Sequence, residues 1–332
     1  MVMRGTLIYT YTIAYTKAIE KKRRRKDETV VPKKRAPNYE EYFPKYDLLQ
    51  KVTKQISGSD VEFKVKSFSD KNIVIEARVE DTEFDLGFVS KLRDELDDEC
   101  IKIAKTYDPA DAIEEYMFFC IKDFKSVDAF LKENREKMVS LMKNEPYTFT
   151  EHEILEIMKN QIRYTNEDLV VVDWDGAFIL DKEGNYTESK AIIEIANIQL
   201  LNLRILDGQI AQEVEEVSGF VDIRGIRRFM RSKQLLNRII QIRTERYGDL
   251  EAIDKSLRLF GDWYTGKLYG LISQKLYLDK WRTSIEKRLA IIEDIYNMVS
   301  AKISEDYNIM LELMIVLLII FEILLYFRSV GS

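Results

Sequence analysis

Histidine is almost missing from this sequence, with His152 the single example. A zinc site built on several histidines is therefore excluded, and a Ser/His or Cys/His catalytic pair has one position to draw on, at the start of a helical segment. Cysteine occurs twice, as Cys100 and Cys120, with no Cys-x-x-Cys pair. Both lie in apolar or helical surroundings, so two free thiols in a reducing compartment are expected rather than a disulfide. Proline (5) and glycine (13) are scarce among 332 residues, and no Gly-x-x-x-x-Gly-Lys-Ser/Thr phosphate loop occurs. Basic charge is not in excess either: 51 basic against 57 acidic side chains leave a net charge of -6. That balance argues against general nucleic-acid binding, which needs a basic footprint. A secretory signal is also lacking. The apolar stretch Leu7–Tyr15 is short, alternates with threonines, and precedes its basic cluster instead of following it.

What is present is charge (33%) and apolar side chains (46%), enough for a packed core and long exposed helices. Residues Thr6–Thr16 read as a strand. Lys21, Lys22, Arg23, Arg24, Arg25 and Lys26 follow in one run, with Lys33-Lys34-Arg35 set between Pro32 and Pro37, marking an exposed basic loop over 17–37 for which contact with an anionic membrane surface, RNA binding and plain solvation are the alternative readings. Phe43–Ile56 carries helical spacing. Val61–Ser67 and Ile73–Val79 alternate strictly about a Ser-Asp-Lys-Asn turn, predicting a β-hairpin. Phe84–Tyr107 predicts a helix, Tyr116–Ile121 a buried strand, and Val127–Lys143 and Thr150–Gln161 two more helices. The second of these opens on a capping box, Thr150 to Glu153.

After the strand signals Leu169–Trp174 and Ala177–Asp181, the pattern turns helical, with amphipathic runs at Ile192–Val217 and Ile223–Tyr247. From Leu268 to Ile303 the spacing is most regular: Ile285, Leu289, Ile292, Tyr296, Val299 and Ile303 form a heptad seam. The seam must be covered by a helix of the same chain or of a partner, with an intrachain antiparallel hairpin preferred.

Ile309–Phe327 contains seventeen apolar residues out of nineteen. As a helix it spans about 28 Å, close to the thickness of a hydrocarbon core. Its leucines, isoleucines and phenylalanines outweigh the cost of two acids, Glu312 and Glu322, so insertion as a C-terminal tail anchor is expected. Those acids are ten positions apart and turned roughly 80° from each other. A helix–helix contact in an oligomer, a snorkelling or tolerated acid, and a proton or ion pathway are alternative roles for them.

The segment Val170–Phe178, VVVDWDGAF, resembles the first motif of haloacid-dehalogenase-type phosphatases. That resemblance implies Asp173 as nucleophile and Asp175 as acid/base beside a magnesium ion. It departs from the pattern at Ala177, where the family has threonine, and in the helical sequence that follows. The alternative is a hairpin whose acids cap its turn.

Glu286-Lys-Arg-Leu-Ala-Ile-Ile-Glu-Asp-Ile-Tyr-Asn-Met, Ser304-Glu-Asp-Tyr and Leu311-Glu-Leu-Met-Ile-Val-Leu-Leu-Ile-Ile-Phe-Glu-Ile resemble the end of the required-for-meiotic-nuclear-division family. Leu169–Asp181 and Ala196–Arg204 are similar to the middle of its prokaryotic members. The resemblance implies an α/β part, a long helical hairpin and a terminal membrane helix with an acid near its end, matched by Glu322. It also implies membrane attachment and self-association, and no catalytic motif.

The expected fold class is α+β: a mixed α/β domain over 1–186, a helical or coiled-coil domain over 187–307, and a membrane anchor over 308–328. The expected function is a non-enzymatic scaffold or adaptor without cofactor or metal. Its bulk would lie in the cytoplasm, or in the mitochondrial matrix of a eukaryote. Membrane lipid, a second copy and an unidentified protein are its expected partners. The rivals are a tethered RNA- or ribosome-binding module using Lys21–Lys26, with nucleic acid not favoured, and the phosphatase.

Overall fold

The computed structural model describes residues 3–15, 46–68, 72–220 and 263–330, with five helical positions between 237 and 248. The basic loop, the Ser-Asp-Lys part of the hairpin turn and most of the predicted Ile223–Tyr247 helix lie outside the described residues. The class is α+β, with one sheet and helices on both of its faces.

The strands are β1 Arg4–Tyr15, β2 Tyr46–Ile56, β3 Ser59–Phe68, β4 Asn72–Glu83, β5 Pro109–Ile121, β6 Gln161–Ile162, β7 Asp168–Val172 and β8 Gly176–Asp181. The helices are α1 Leu86–Ala104, α2 Val127–Lys143, α3 Glu151–Met158, α4 Thr187–Phe220, α5 Trp263–Lys275 and α6 Leu278–Val330. The sheet order is β2-β3-β4-β1-β5-β8-β7-β6, antiparallel throughout except for the β5–β8 pair.

Strand alternation sends successive side chains to opposite faces. Leu7, Tyr9, Tyr11 and Ile13 of β1 join Phe63, Ile75, Phe119 and Phe178 in one continuous apolar core. Val89, Leu92 and Leu96 of α1, Met138 of α2 and Ile157 of α3 close it. Phe119 stacks on Phe178 at 4.7 Å between ring centres, with Phe84 edge-on to both. The caps are local: Asp85, Ser126 and Thr150 accept from the amides of Phe88, Ala129 and Glu153. These bonds satisfy helix-end donors that would otherwise lack partners. Gly5 is obligatory, because a Cβ there would run into the Cys120 carbonyl oxygen of β5.

Three expectations need correction. Phe43–Ile56 is not helical where it is described: Tyr46–Ile56 is β2, paired antiparallel with β3. The β2–β3 turn is Ser57-Gly58, with φ of 47° and 77°, the paired left-handed conformation of a tight hairpin. β2 is an edge strand with half-exposed side chains, so no clean two-residue alternation marks it. The helical stretch from Leu268 is not continuous. It breaks at Leu276–Tyr277, where Tyr277 takes a left-handed φ of 53° and ends α5. Finally, α4 is not simply amphipathic at its start: Glu188 to Leu201 are buried all round.

The chain divides into two compact units, Met1–Ile205 with Ala252–Arg282, and Leu206–Glu251 with Thr283–Ser332. The first holds the sheet, α1–α3, the start of α4 and α5. Within the second, Ile285, Leu289 and Ile292 of α6 and Leu206 and Ile210 of α4 are buried. Arg288 pairs with Asp207 at 2.9 Å, and Ser284 lies 3.4 Å from the same carboxylate. The first part of the heptad seam is thus covered beside a helix of its own chain.

Candidate functional site

The Asp-Trp-Asp-Gly sequence forms the turn between β7 and β8. The turn is closed by the Asp173 amide donating to the Gly176 carbonyl at 2.8 Å. The Tyr116 hydroxyl lies beneath it and donates to the carbonyls of both Asp173 and Gly176 at 2.9 Å. The Asp173 side chain, only 1% exposed, does not cap the turn. Lys143 Nζ lies 3.0 Å from its Oδ2 and Lys275 Nζ 2.5 Å from its Oδ1. These lysines come from the last turns of α2 and α5, where a cation also favours the helix dipole. The motif therefore ties two helix ends to the sheet. Enclosed between two ammonium groups, the carboxylate forms a buried ion pair with both.

Asp175 stands exposed on the same turn. Its carboxyl is raised above the usual range, chiefly by desolvation, against the pull of Arg93. Trp174 packs against Tyr277 at 5.7 Å, and Lys280 Nζ sits 4.0 Å from the centre of the Tyr277 ring. Among the described residues no His/Cys/Asp/Glu group is arranged to hold a metal.

A second cluster lies on the other face of the sheet. Lys66 of β3, Glu76 of β4, and Lys190 and Glu194 of α4 form a buried square of alternating charge. Lys66 pairs with Glu76 and, at 3.2 Å, with Glu194; Lys190 pairs with Glu76 and, at 3.2 Å, with Glu194. Nothing in the sequence analysis singled these residues out. The available signal was Lys190 and Glu194 placed four apart in the isoleucine-rich run Lys190–Leu201, where unpaired charges would be costly.

The remaining expected residues are spread out. Cys100 and Cys120 are free and buried, and burial pushes the Cys120 thiol up to about 12, which leaves it unreactive. His152 is exposed in the first turn of α3. Lys21, Lys22, Arg23, Arg24, Arg25 and Lys26 lie outside the described residues. In the seam, Tyr296 is half-buried, and Val299 and Ile303 fall on α6 with side chains that are not described. Glu312 and Glu322 lie on α6, exposed.

The apolar C-terminal stretch is the last part of α6. Tyr307–Tyr326 is 20 residues long; its most apolar 18 residues have a mean hydropathy of 2.7, and none of them is buried. By length and composition it can cross a membrane. Leu318, Phe321 and Leu324 are 64%, 59% and 62% exposed, which in water would be a continuous apolar surface.

Comparison with known proteins places these features in a lineage. Residues 6–187 match the family described as "Uncharacterized protein MJ0711, N-terminal domain". Over 300 residues the chain is 32% identical to "Uncharacterized protein MJ0711" of Methanocaldococcus jannaschii, covering 88% of each protein. No solved structure matches. The chain belongs to the MJ0711 family.

Proposed function

We propose that the protein is a membrane-anchored scaffold or adaptor without catalytic activity, presenting its α/β domain on the cytosolic side and self-associating through its helices. The observation that carries this reading is the wholly exposed apolar stretch Tyr307–Tyr326. An apolar helix of that length gains by transfer into lipid, and two off-centre acids do not reverse the balance. The resemblance of the last eighty residues to the required-for-meiotic-nuclear-division family supports membrane attachment and self-association in the same way. Enclosure of Asp173 between Lys143 and Lys275 favours a structural role for the one motif that resembled a catalytic one.

Self-association is tested by counting copies. Full-length protein is reconstituted into nanodiscs at low occupancy, and the mass of single particles is measured. Two or more copies per disc in excess of random loading support the scaffold. One copy per disc at every loading contradicts self-association and leaves a monomeric anchored adaptor.

A further inference from the structure

The two acids of the apolar stretch Tyr307–Tyr326 are not equivalent. The stretch contains no lysine or arginine, and its remaining polar side chains, Tyr307, Asn308 and Tyr326, stand at its ends. Glu312 lies about 8 Å along the helix axis from Tyr307, and Glu322 about 6 Å from Tyr326. Each acid is thus near one end. In an α-helix, however, every side chain leans towards the N-terminus. Glu312 therefore leans towards its own near end, where its carboxylate meets interfacial water. Glu322 leans away from its near end, towards the wholly apolar run Leu313–Phe321. One acid snorkels along its natural direction and the other would have to turn against it.

The helix itself offers Glu322 little. The side chains one turn away are Leu318, Ile319, Leu325 and Tyr326. A carboxyl group has about four acceptor sites, and a phenol supplies one donor to them. Glu322, Leu318, Ile319 and Leu325 are all exposed, so this side of α6 is open to another helix.

We infer that Glu322 is the contact through which two copies of this chain associate within the membrane, carboxyl against carboxyl across a parallel pair of spans. The inference rests on the anchor proposed above and gives its self-association a place. A second copy inserts in the same direction, so its Glu322 arrives at the same depth and the contact is symmetric, residue against identical residue. An unlike partner would have to bring a matching polar group to that depth. Two carboxyl groups that share a proton are self-complementary, one donating where the other accepts. Leu318, Ile319 and Leu325 supply the apolar packing on either side. Glu312, which reaches water, has no part in the contact.

The test uses full-length protein labelled at its N-terminus with a donor or an acceptor dye, reconstituted into liposomes over a range of lipid-to-protein ratios. Association is read as energy transfer, and membrane attachment as flotation with the liposomes. Wild type is expected to associate, and Glu322→Leu to weaken association by about 5- to 30-fold while still floating. Glu322→Gln keeps a donor and an acceptor at that depth and should associate like wild type. Glu312→Leu should also match wild type. The inference is overturned if Glu322→Leu associates as wild type does, or if Glu312→Leu weakens association equally. Loss of association in Glu322→Gln overturns it as well. Floating wild type with no energy transfer leaves the anchor standing and removes the second copy from Glu322. Wild type that does not float contradicts the anchor and the inference with it.

Discussion

Asp173 and Asp175 are two positions apart, yet their surroundings give them opposite energetic signs. Asp173 pairs directly with two lysines that are mostly buried, so Asp173→Asn removes the one carboxylate in contact with both ammonium groups. Breaking a buried pair from one side costs about 3–5 kcal/mol, and urea denaturation of the variant should show a loss of that size. Asp175, by contrast, has its carboxyl raised by desolvation and so carries its charge at a cost. Asp175→Asn is expected to be neutral or stabilising in the same assay. A catalytic pair would show a different pattern, with both variants inactive and neither strongly destabilised.

The charged square makes a pH prediction at the same scale. Burial alone would push the Glu76 carboxyl up, but Lys190 and then Lys66 outweigh it and hold it well below the usual carboxylate range. For Lys66, burial pulls the ammonium down, and Glu194 with Glu76 outweighs that and leaves it raised. A depressed carboxyl contributes stability that is complete above its unfolded value, about 4.3, and lost as pH falls towards its folded one. A raised ammonium contributes stability complete below about 10.4 and lost as pH rises further. Asp97, Glu114 and Asp175, raised chiefly by burial, act with the opposite sign in acid. The square is therefore read as the difference between wild type and Glu76→Gln in denaturation curves. That difference should be flat from about pH 5 to pH 10 and shrink below about pH 4.

Among the elements, α6 carries two environments in one 53-residue helix. Its first part buries Ile285, Leu289 and Ile292 against its own chain, so Leu289→Ala should cost about 2–5 kcal/mol in the stability of that unit. Its last part is exposed, so Leu317→Arg with Leu318→Arg should leave stability in detergent unchanged. Each arginine would add about 2.5–3.5 kcal/mol to insertion, and the variant should move from the membrane pellet to the supernatant.

The legibility of each element followed its burial. The Val61–Ser67 and Ile73–Val79 hairpin was readable because one face of each strand is wholly apolar, while most residues between them are polar or charged: Glu62, Lys64 and Lys66, then Glu76 and Arg78. Val127–Lys143 was readable because its periodicity and its serine cap agree. β2 was misread because an edge strand has no buried face to enforce alternation, although its Ser57-Gly58 turn was there to be seen. The α5–α6 break was hidden because Tyr277, not glycine, takes the left-handed position that ends a helix. Of the charge square only the Lys190–Glu194 spacing was legible. Its four members come from three elements, and only the folded chain brings positions 66, 76, 190 and 194 together.

At the scale of the molecule, one sheet is sealed on one face by an apolar layer and on the other by the buried start of α4, whose isoleucines flank a charge-matched square. The same chain ends its described part in an apolar helix with no protein cover. An exposed run of leucine, isoleucine and phenylalanine on that scale has to be placed in lipid or against another protein. The most direct test compares the full-length protein with a version truncated after Asn308, both expressed in cells, followed by membrane pelleting and an alkaline carbonate wash. The account predicts that the full-length protein stays in the washed pellet and that the truncated protein is released. Full-length protein in the supernatant would contradict the anchor and assign Tyr307–Tyr326 to a protein interface instead.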